Sequence, residues 1–480
     1  MKKIISIALW LAAGAAFAAE PANPLSFAGG KLVFDVQERL RLEVRDNNFD
    51  FNNNADVGMT DQTFLLQRFR LGALFKPVDW FKVYAQGQDS REIASRRQKV
   101  PFVFGAEGDD PFDLRQAYIE LGDGKACPMV LKVGRQELLY GDERLVGAFD
   151  WNNFARTFDA VKLRYDGTTH KFWVDAFYAH VVTIEQFGPQ SNYGAHLNDA
   201  NWNDTLVGLY TSTTCLTVQT TDLYLFYRNK QGNNPRYTGF SGQPAAFAYD
   251  IAQEIWTPGL RIKSLPGKLR GWDYELEIAG QFGRSAGQQG STVPTSATSM
   301  MDHEAFAFHI AGGYTWEKCD WKPRLALEYN IASGDDNPND NKDESFLNLF
   351  PTNHKFYGYM DFFAWKNVHN PALSLKLAPV KNVTVQLDGH AFWLYTNQDA
   401  WYRANAVTRV RPLNAAALNA GSFVGTEFDL TVTWLTPWKW MKWQAGYSHF
   451  FPGDYVRDTA SGAAGSDGAD FGYVMTTLTF

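Results

Sequence analysis

The feature that most constrains this chain is a two-part rhythm: a segment of alternating apolar and polar residues, then a connection that is by turns long and short. In the first such segment, KLVFDVQERLRLEVR, Leu32, Phe34, Val36, Leu40, Leu42 and Val44 share one face. Asp35, Gln37, Arg39, Arg41, Glu43 and Arg45 share the other. Period two with this contrast predicts a β-strand with one apolar and one polar surface. Glu38 breaks the apolar face, which suggests a place near an interface. The alternation returns in residues 63–76, 80–90, 113–122, 130–139, 156–166, 171–181, 204–212 and 219–229. It continues in 254–265, 271–284, 304–316, 321–333, 369–378, 382–395, 424–436, 439–451 and 471–480. The total is about eighteen strands, an even number as a closed bacterial single-chain barrel requires.

The connections add a test that a soluble sandwich of the periplasm has little reason to pass. Short turns (KPVDW, DGTTH, SLPGK, EKCDW, APVKN, TPWKW) are separated by long polar insertions at 46–61, 91–112, 182–203, 230–253, 285–303, 334–368, 396–423 and 452–470. With both termini in the periplasm, every short turn falls inside and every long insertion outside, the rule for membrane barrels. Trp80, Trp272, Trp316, Trp321, Trp438 and Trp440 flank the short turns, where an interfacial girdle belongs. At the N-terminus, Lys2 and Lys3 precede the apolar run IISIALWLAAGAAF and the small-x-small site Ala16-Phe17-Ala18. That pattern predicts an export signal over residues 1–18 and a barrel over 19–480. The final segment, FGYVMTTLTF, sets Val474, Leu478 and Phe480 on one face and ends on an aromatic, the signature read by barrel-assembly machinery. The chain is thus expected to be an all-β transmembrane antiparallel barrel in a Gram-negative-type outer membrane, with lipid as its surroundings.

Composition narrows function mainly by exclusion. Beyond the signal, no apolar run approaches the ~20 residues of a helical span. A net charge of −7 gives no basic face for nucleic acid. Cys127, Cys215 and Cys319 lie on three separate turns, each about four strands apart at ~4.8 Å per strand, too far for a disulfide. No Cys/His cluster, GxSxG or HExxH is present, so neither a cofactor nor an enzyme is expected.

If the apolar faces meet lipid, the opposite faces line the lumen. The first six strands bring Arg39, Arg41, Arg68, Arg70, Lys82, Lys162 and Arg164 there. A later wall is acidic: Asp273, Glu275 and Glu277 on strand 11, Asp388 with His390 on strand 15, Glu427 and Asp429 on strand 16. Inward charges can simply solvate the channel and pair with one another, or the arginines can form an anion path. The run LKVGRQELLYGDERLVGAFDWNNFARTFDAVKLR adds Arg135, Arg144 and Arg156 among Asp142, Glu143 and Asp150. Such a set makes either a carboxylate clamp or a self-contained ion-pair network. Strict alternation turns Arg135 toward lipid, unless Gly134 marks a bulge that re-aims it. The longest insertion, 334–368, is acidic, then aromatic, and is expected to fold over or into the mouth. Its Asp335, Asp336 and Asp340, with Asp343 and Glu344, are a weak calcium candidate, since the spacing is no EF-hand.

The runs VGRQELLYGDERLVGAFDWNNFARTFDAVKL, ASGDDNPND, LFPTNHKFYGYMD and RFRLGALFKP resemble the alginate export family of outer-membrane proteins. The resemblance spans nearly all of the chain after the signal. It implies an eighteen-stranded barrel whose arginine-rich lumen conducts an anionic polysaccharide outward, with Arg68, Arg70, Arg135, Arg144 and Arg156 at motif positions. The acidic wall departs from a purely electropositive conduit. The leading expectation is a porin for anionic sugars or carboxylates; the alternatives are a barrel whose long loops bind a surface partner and, further off, a barrel enzyme.

Overall fold

The computed structural model describes residues 25–480 apart from 55–60, 97–108, 125–126, 168–170, 185–196, 232–251, 287–299, 338 and 463. The expected export segment, 1–18, lies outside these residues. So does most of the insertions 91–112, 182–203, 230–253 and 285–303.

Eighteen strands form the wall, in chain order. They are β1 Leu32–Asp46, β2 Gln62–Val78, β3 Phe81–Ile93, β4 Asp110–Leu121, β5 Met129–Gln136, β6 Phe158–Asp166, β7 Phe172–Thr183, β8 Asp199–Thr213 and β9 Gln219–Lys230. Then follow β10 Gln253–Ser264, β11 Trp272–Ser285, β12 Met301–Thr315, β13 Arg324–Ala332, β14 Val368–Val380, β15 Val383–Trp393, β16 Phe423–Leu435, β17 Met441–Pro452 and β18 Ala469–Thr479. Each pairs antiparallel with its sequence neighbours, and β1 pairs with both β2 and β18 (Gln37↔Thr479 to Asp46↔Asp470), so no edge is left open. The seam is tightened at the last residue, where Phe480 and Val36 exchange backbone hydrogen bonds of 2.9 and 3.1 Å and the Phe480 ring stacks on Trp440. Every expected strand is present. The largest boundary change is at β8, which begins at Asp199 rather than 204, and β5 ends at Gln136 rather than 139, where the chain turns into the lumen.

The apolar surface is on the outside. Leu42, Leu71, Leu209, Leu223, Leu327 and Val474 are exposed, and Tyr473 and Met475 of the same last strand are buried inside. An exposed apolar band of this extent is a membrane surface. Trp80, Trp272, Trp316, Trp321, Trp438 and Trp440 are all exposed beside the short turns. Cys127, Cys215 and Cys319 are exposed and unpaired. Glu38 does face outward, and Gln67 donates to both its oxygens at 3.0 and 3.2 Å, which offsets part of the cost of a carboxyl on that face.

The hydrophobic core is inside the barrel. It is built by segments between strands: Phe49 and Phe51 after β1, Leu138, Tyr140 and Leu145 after β5, Phe346 through Trp365 after β13, and Trp401 after β15. Each such side chain gains about 1.5–3 kcal/mol by leaving water. Packing against one another inside the barrel takes these side chains out of water. The acidic-then-aromatic order of 334–368 follows from this: its second half fills the barrel, while Asp336 and Asp340 in its first half meet solvent and Asp335 and Asp343 are buried.

Candidate functional site

Two inward segments, 137–157 between β5 and β6 and 333–367 between β13 and β14, meet in the lumen and hold each other. Phe350 N donates to Leu145 O at 2.8 Å, Gly147 N to Phe350 O at 2.9 Å and Thr352 N to Glu143 O at 2.9 Å. Arg156 Nη1 donates to Gly147 O at 3.1 Å and Pro351 O at 3.0 Å, tying both segments with one guanidinium group. Trp151 stacks on His354 with ring centres 3.8 Å apart. The first segment takes its path from left-handed turns at Gly141, Glu143, Phe149 and Ala155. At Gly141 a glycine meets that need without strain.

The tip of the first segment, Asp150-Trp151-Asn152, lies against the arginines of β1 and β2. Arg39 donates to Asp150 O at 2.6 Å and Asn152 O at 3.2 Å, and Arg41 donates to Trp151 O at 2.5 Å. Arg68 donates to Asp150 O at 3.0 Å and Asn152 O at 3.3 Å. The Asp150 carboxylate itself bridges Arg68 and Arg70, at 3.1 and 3.0 Å. These arginines are buried, whereas 56% of the Asp150 side chain is accessible. The ladder read from the sequence therefore does not stand bare toward the lumen: it grips a loop, and the loop presents a carboxylate. Enclosure within the barrel acts to raise the Asp150 carboxyl, but Arg68, Arg70, Arg39 and Arg115 outweigh it and hold it well below the usual carboxylate range.

The other inward cations pair with carboxylates of neighbouring strands. Lys82 and Lys132 share Glu120 at 2.5 and 3.5 Å. Arg164 and Lys162 share Asp175 at 2.6 and 3.7 Å, with Arg164 also over Trp173. The acidic wall is largely countered. Glu275 meets Arg261 and Lys263 at 3.3 and 2.9 Å, Asp273 meets Arg324 at 2.5 Å, and Glu277 accepts from Tyr224 Oη at 3.0 Å. On β15 and β16 it persists: Asp429 has His390 at 3.8 Å, Gln386 donates to Asp388 at 2.9 Å, and Glu427 accepts from Met360 N at 2.9 Å, which anchors the second inward segment.

Arg144 and Arg156 are not members of an ion-pair network confined to their own segment. Arg144 crosses to the β12–β13 wall, donating to Glu328, His309 and Asn330 at 3.2, 3.2 and 3.4 Å, and lies 3.9 Å over Phe356. The acids go elsewhere, Asp142 to Arg261 and Lys263 at 2.8 and 2.5 Å. Of the two alternatives the sequence left open, the self-contained network is not formed: Arg144 and Asp142 bond to the wall instead.

Two readings of the sequence are corrected. Arg135 does not line the lumen: β5 pairs β4 and β6 without a register shift, so Gly134 does not re-aim it. Arg135 keeps the parity of exposed Val133, bonded to Asp159 at 2.8 and 3.1 Å and to Leu114 O at 3.0 Å, which neutralises it on the outer surface. Asp335, Asp336 and Asp340 do not form a calcium site; among the described residues no three His, Cys, Asp or Glu side chains could hold a metal. Asp335 N instead donates to Asp399, and the Lys366 ammonium lies close enough to act on both carboxylates.

Some inward residues escape sequence reading. Arg115 is the extra residue of a β-bulge, since Gln86 pairs with Gln116 and Gly87 with Leu114. Strict alternation from Ile119 and Leu121 puts Arg115 outside; the bulge turns it in, where it is buried and meets Glu137 at 2.5 Å. Lys132, Arg261, Lys263 and Arg324 follow simple alternation, and a charge reading of strands 5, 10 and 13 finds them.

A closed antiparallel barrel with an apolar exterior, an aromatic rim and a charged, loop-filled interior defines an outer-membrane channel protein. The chain belongs to the alginate export family, whose model matches residues 37–470. Its fold is similar to that of Acinetobacter baumannii OccAB1, at 11% identity and a TM-score of 0.57 over 96% of this chain and 99% of that one. It is likewise similar to Pseudomonas aeruginosa OccK9 (OpdG), at 12% identity and a TM-score of 0.56 over 94% and 98%. A third similar structure is Pseudomonas aeruginosa OpdK with vanillate, at 10% identity and a TM-score of 0.52 over 93% and 98%. No curated protein matches the chain.

Proposed function

We propose that the barrel conducts anionic solutes bearing carboxylates, either small sugar acids or a uronate polymer. The observation that carries this reading is the cluster of Arg39, Arg68, Arg70 and Arg115 around the lumen-facing Asp150 carboxylate. Guanidinium forks bind carboxylates bidentately and chloride only as a point charge, so the cluster favours one over the other. Lys82, Lys132 and Arg164 extend the basic side below it. Membership of the alginate export family agrees with a uronate cargo.

The test is a planar bilayer holding the purified protein under a salt gradient. Wild type shows anion preference, and galacturonate oligomers block the current from at least one side. The field of the cluster acts across water, so the preference fades as the Debye length falls from ~10 Å at 0.1 M to ~3 Å at 1 M salt. Cation preference, or no block by the oligomers, refutes the reading.

A further inference from the structure

We infer that Asp150 is a tethered competitor for the solute: its carboxylate occupies the guanidinium site that a solute carboxylate takes, and each passing carboxylate displaces it. The inference rests on the anionic-solute reading and names the residue that sets its affinity.

Four observations support the exchange. The Asp150 carboxylate bridges Arg68 Nη1 and Arg70 Nη1 at 3.1 and 3.0 Å, the contact a solute carboxylate would make. It is open to the lumen, with 56% of the side chain accessible, while both guanidinium groups behind it are more than nine-tenths buried. Donor capacity is left over: Arg68 Nε, Arg70 Nη2 and both Nε and Nη1 of Arg115 are buried without a hydrogen-bond partner. One carboxylate thus leaves the guanidinium groups unsaturated, and because those donors are buried behind it, a solute carboxylate reaches them as the Asp150 side chain swings aside. Finally, the backbone at the tip does not depend on the carboxylate, because Arg39 and Arg68 hold Asp150 O and Asn152 O, and Arg41 holds Trp151 O. Rotation of the Asp150 side chain therefore empties the site while the segment stays in place.

A tethered carboxylate keeps the arginines from trapping a solute permanently, since it re-enters at high effective concentration once the solute dissociates. Strong charge-assisted bonds to a free solute would otherwise make the site a sink. The exchange is a binding step only; no bond is made or broken and no proton moves.

The experiment compares wild type with Asp150→Asn and Asp150→Glu in bilayers, with monomeric galacturonate as the probe and galactose as the neutral control. Asp150→Asn removes the competitor and keeps the backbone anchors, so half-block by galacturonate shifts to concentrations lower by about tenfold or more, anion preference rises, and release slows. Asp150→Glu restores exchange and stays near wild type, and neither variant changes the effect of galactose. Unchanged or weakened galacturonate block in Asp150→Asn, with wild type still anion-selective, overturns the inference and leaves the function standing. Loss of anion preference in wild type overturns the function itself. An equal rise for galactose and galacturonate shows that the segment was released, which also overturns the competitor role.

Discussion

Arg156 offers the most direct test of how the lumen is kept filled. Its guanidinium donates to Gly147 O of one inward segment and Pro351 O of the other, at 3.1 and 3.0 Å, and it lies near the faces of Phe149 and Phe350. Both acceptors are neutral carbonyls, so the link is not an ion pair and should resist salt. Burial, and then Arg228 nearby, lower its pKa to about 10, still leaving it charged at neutral pH. A hydrogen bond from a charged donor contributes about 1.5–3 kcal/mol, so the two bonds together set an upper bound of about 3–6 kcal/mol. Water entering the lumen re-satisfies both carbonyls in Arg156→Ala, and a net loss of about 2–3 kcal/mol remains. That is a shift of roughly 30- to 150-fold in the ratio of docked to undocked segments. The remaining ties, including the Trp151–His354 stack, Asp142 with Arg261 and Arg144 with Glu328, keep the docked form in the majority. Single-channel records of Arg156→Ala are therefore expected to show brief high-conductance bursts that wild type lacks, equally at 0.1 and 1 M salt, with unchanged heat-modifiable migration on unboiled gels. A steady record identical to wild type, or bursts abolished by salt, would refute the view that this residue pins the two segments together.

Two further outcomes are expected. The Asp335 carboxyl is pushed up to about 7, first by burial and then by Asp399 and Asp343, above the ordinary value of 3.8. The folded loops thus bind more protons than the unfolded chain between these values, and the stability so gained is full near pH 4 and lost as pH rises through about 7. Hydrogen exchange over residues 333–345 and 394–402, corrected for intrinsic rates, should accelerate across that window in wild type and respond less in Asp335→Asn; a flat wild-type profile refutes the assignment. Cys127, Cys215 and Cys319, all exposed on short turns, should resist a bulky impermeant maleimide on intact cells and react fully once the outer membrane is breached. Labelling of intact cells would invert the barrel.

The sequence by itself determined the wall. Strand number, strand order, the grouping of the short turns at one end with the rim tryptophans, and the lumen-facing parity of Arg39, Arg41, Arg68, Arg70 and Lys82 were legible in the alternation and in the lengths of the connections, because in a closed barrel each strand has one lipid face and the next residue must point the other way. Tertiary structure decided what those side chains do. Whether an inward arginine faces water or a loop depends on where a distant insertion packs, and residues 150–152 lie more than 100 positions from Arg39 and Arg41. Bulges were equally out of reach: the one at Arg115 re-aims a buried cation that strict alternation sends to lipid, while Gly134, with φ of 121°, makes none and leaves Arg135 outside. Alternation is a local rule enforced by the backbone pleat; loop docking and register shifts are settled by contacts across the lumen, where burial of aromatic side chains and satisfaction of guanidinium donors outweigh any preference encoded nearby.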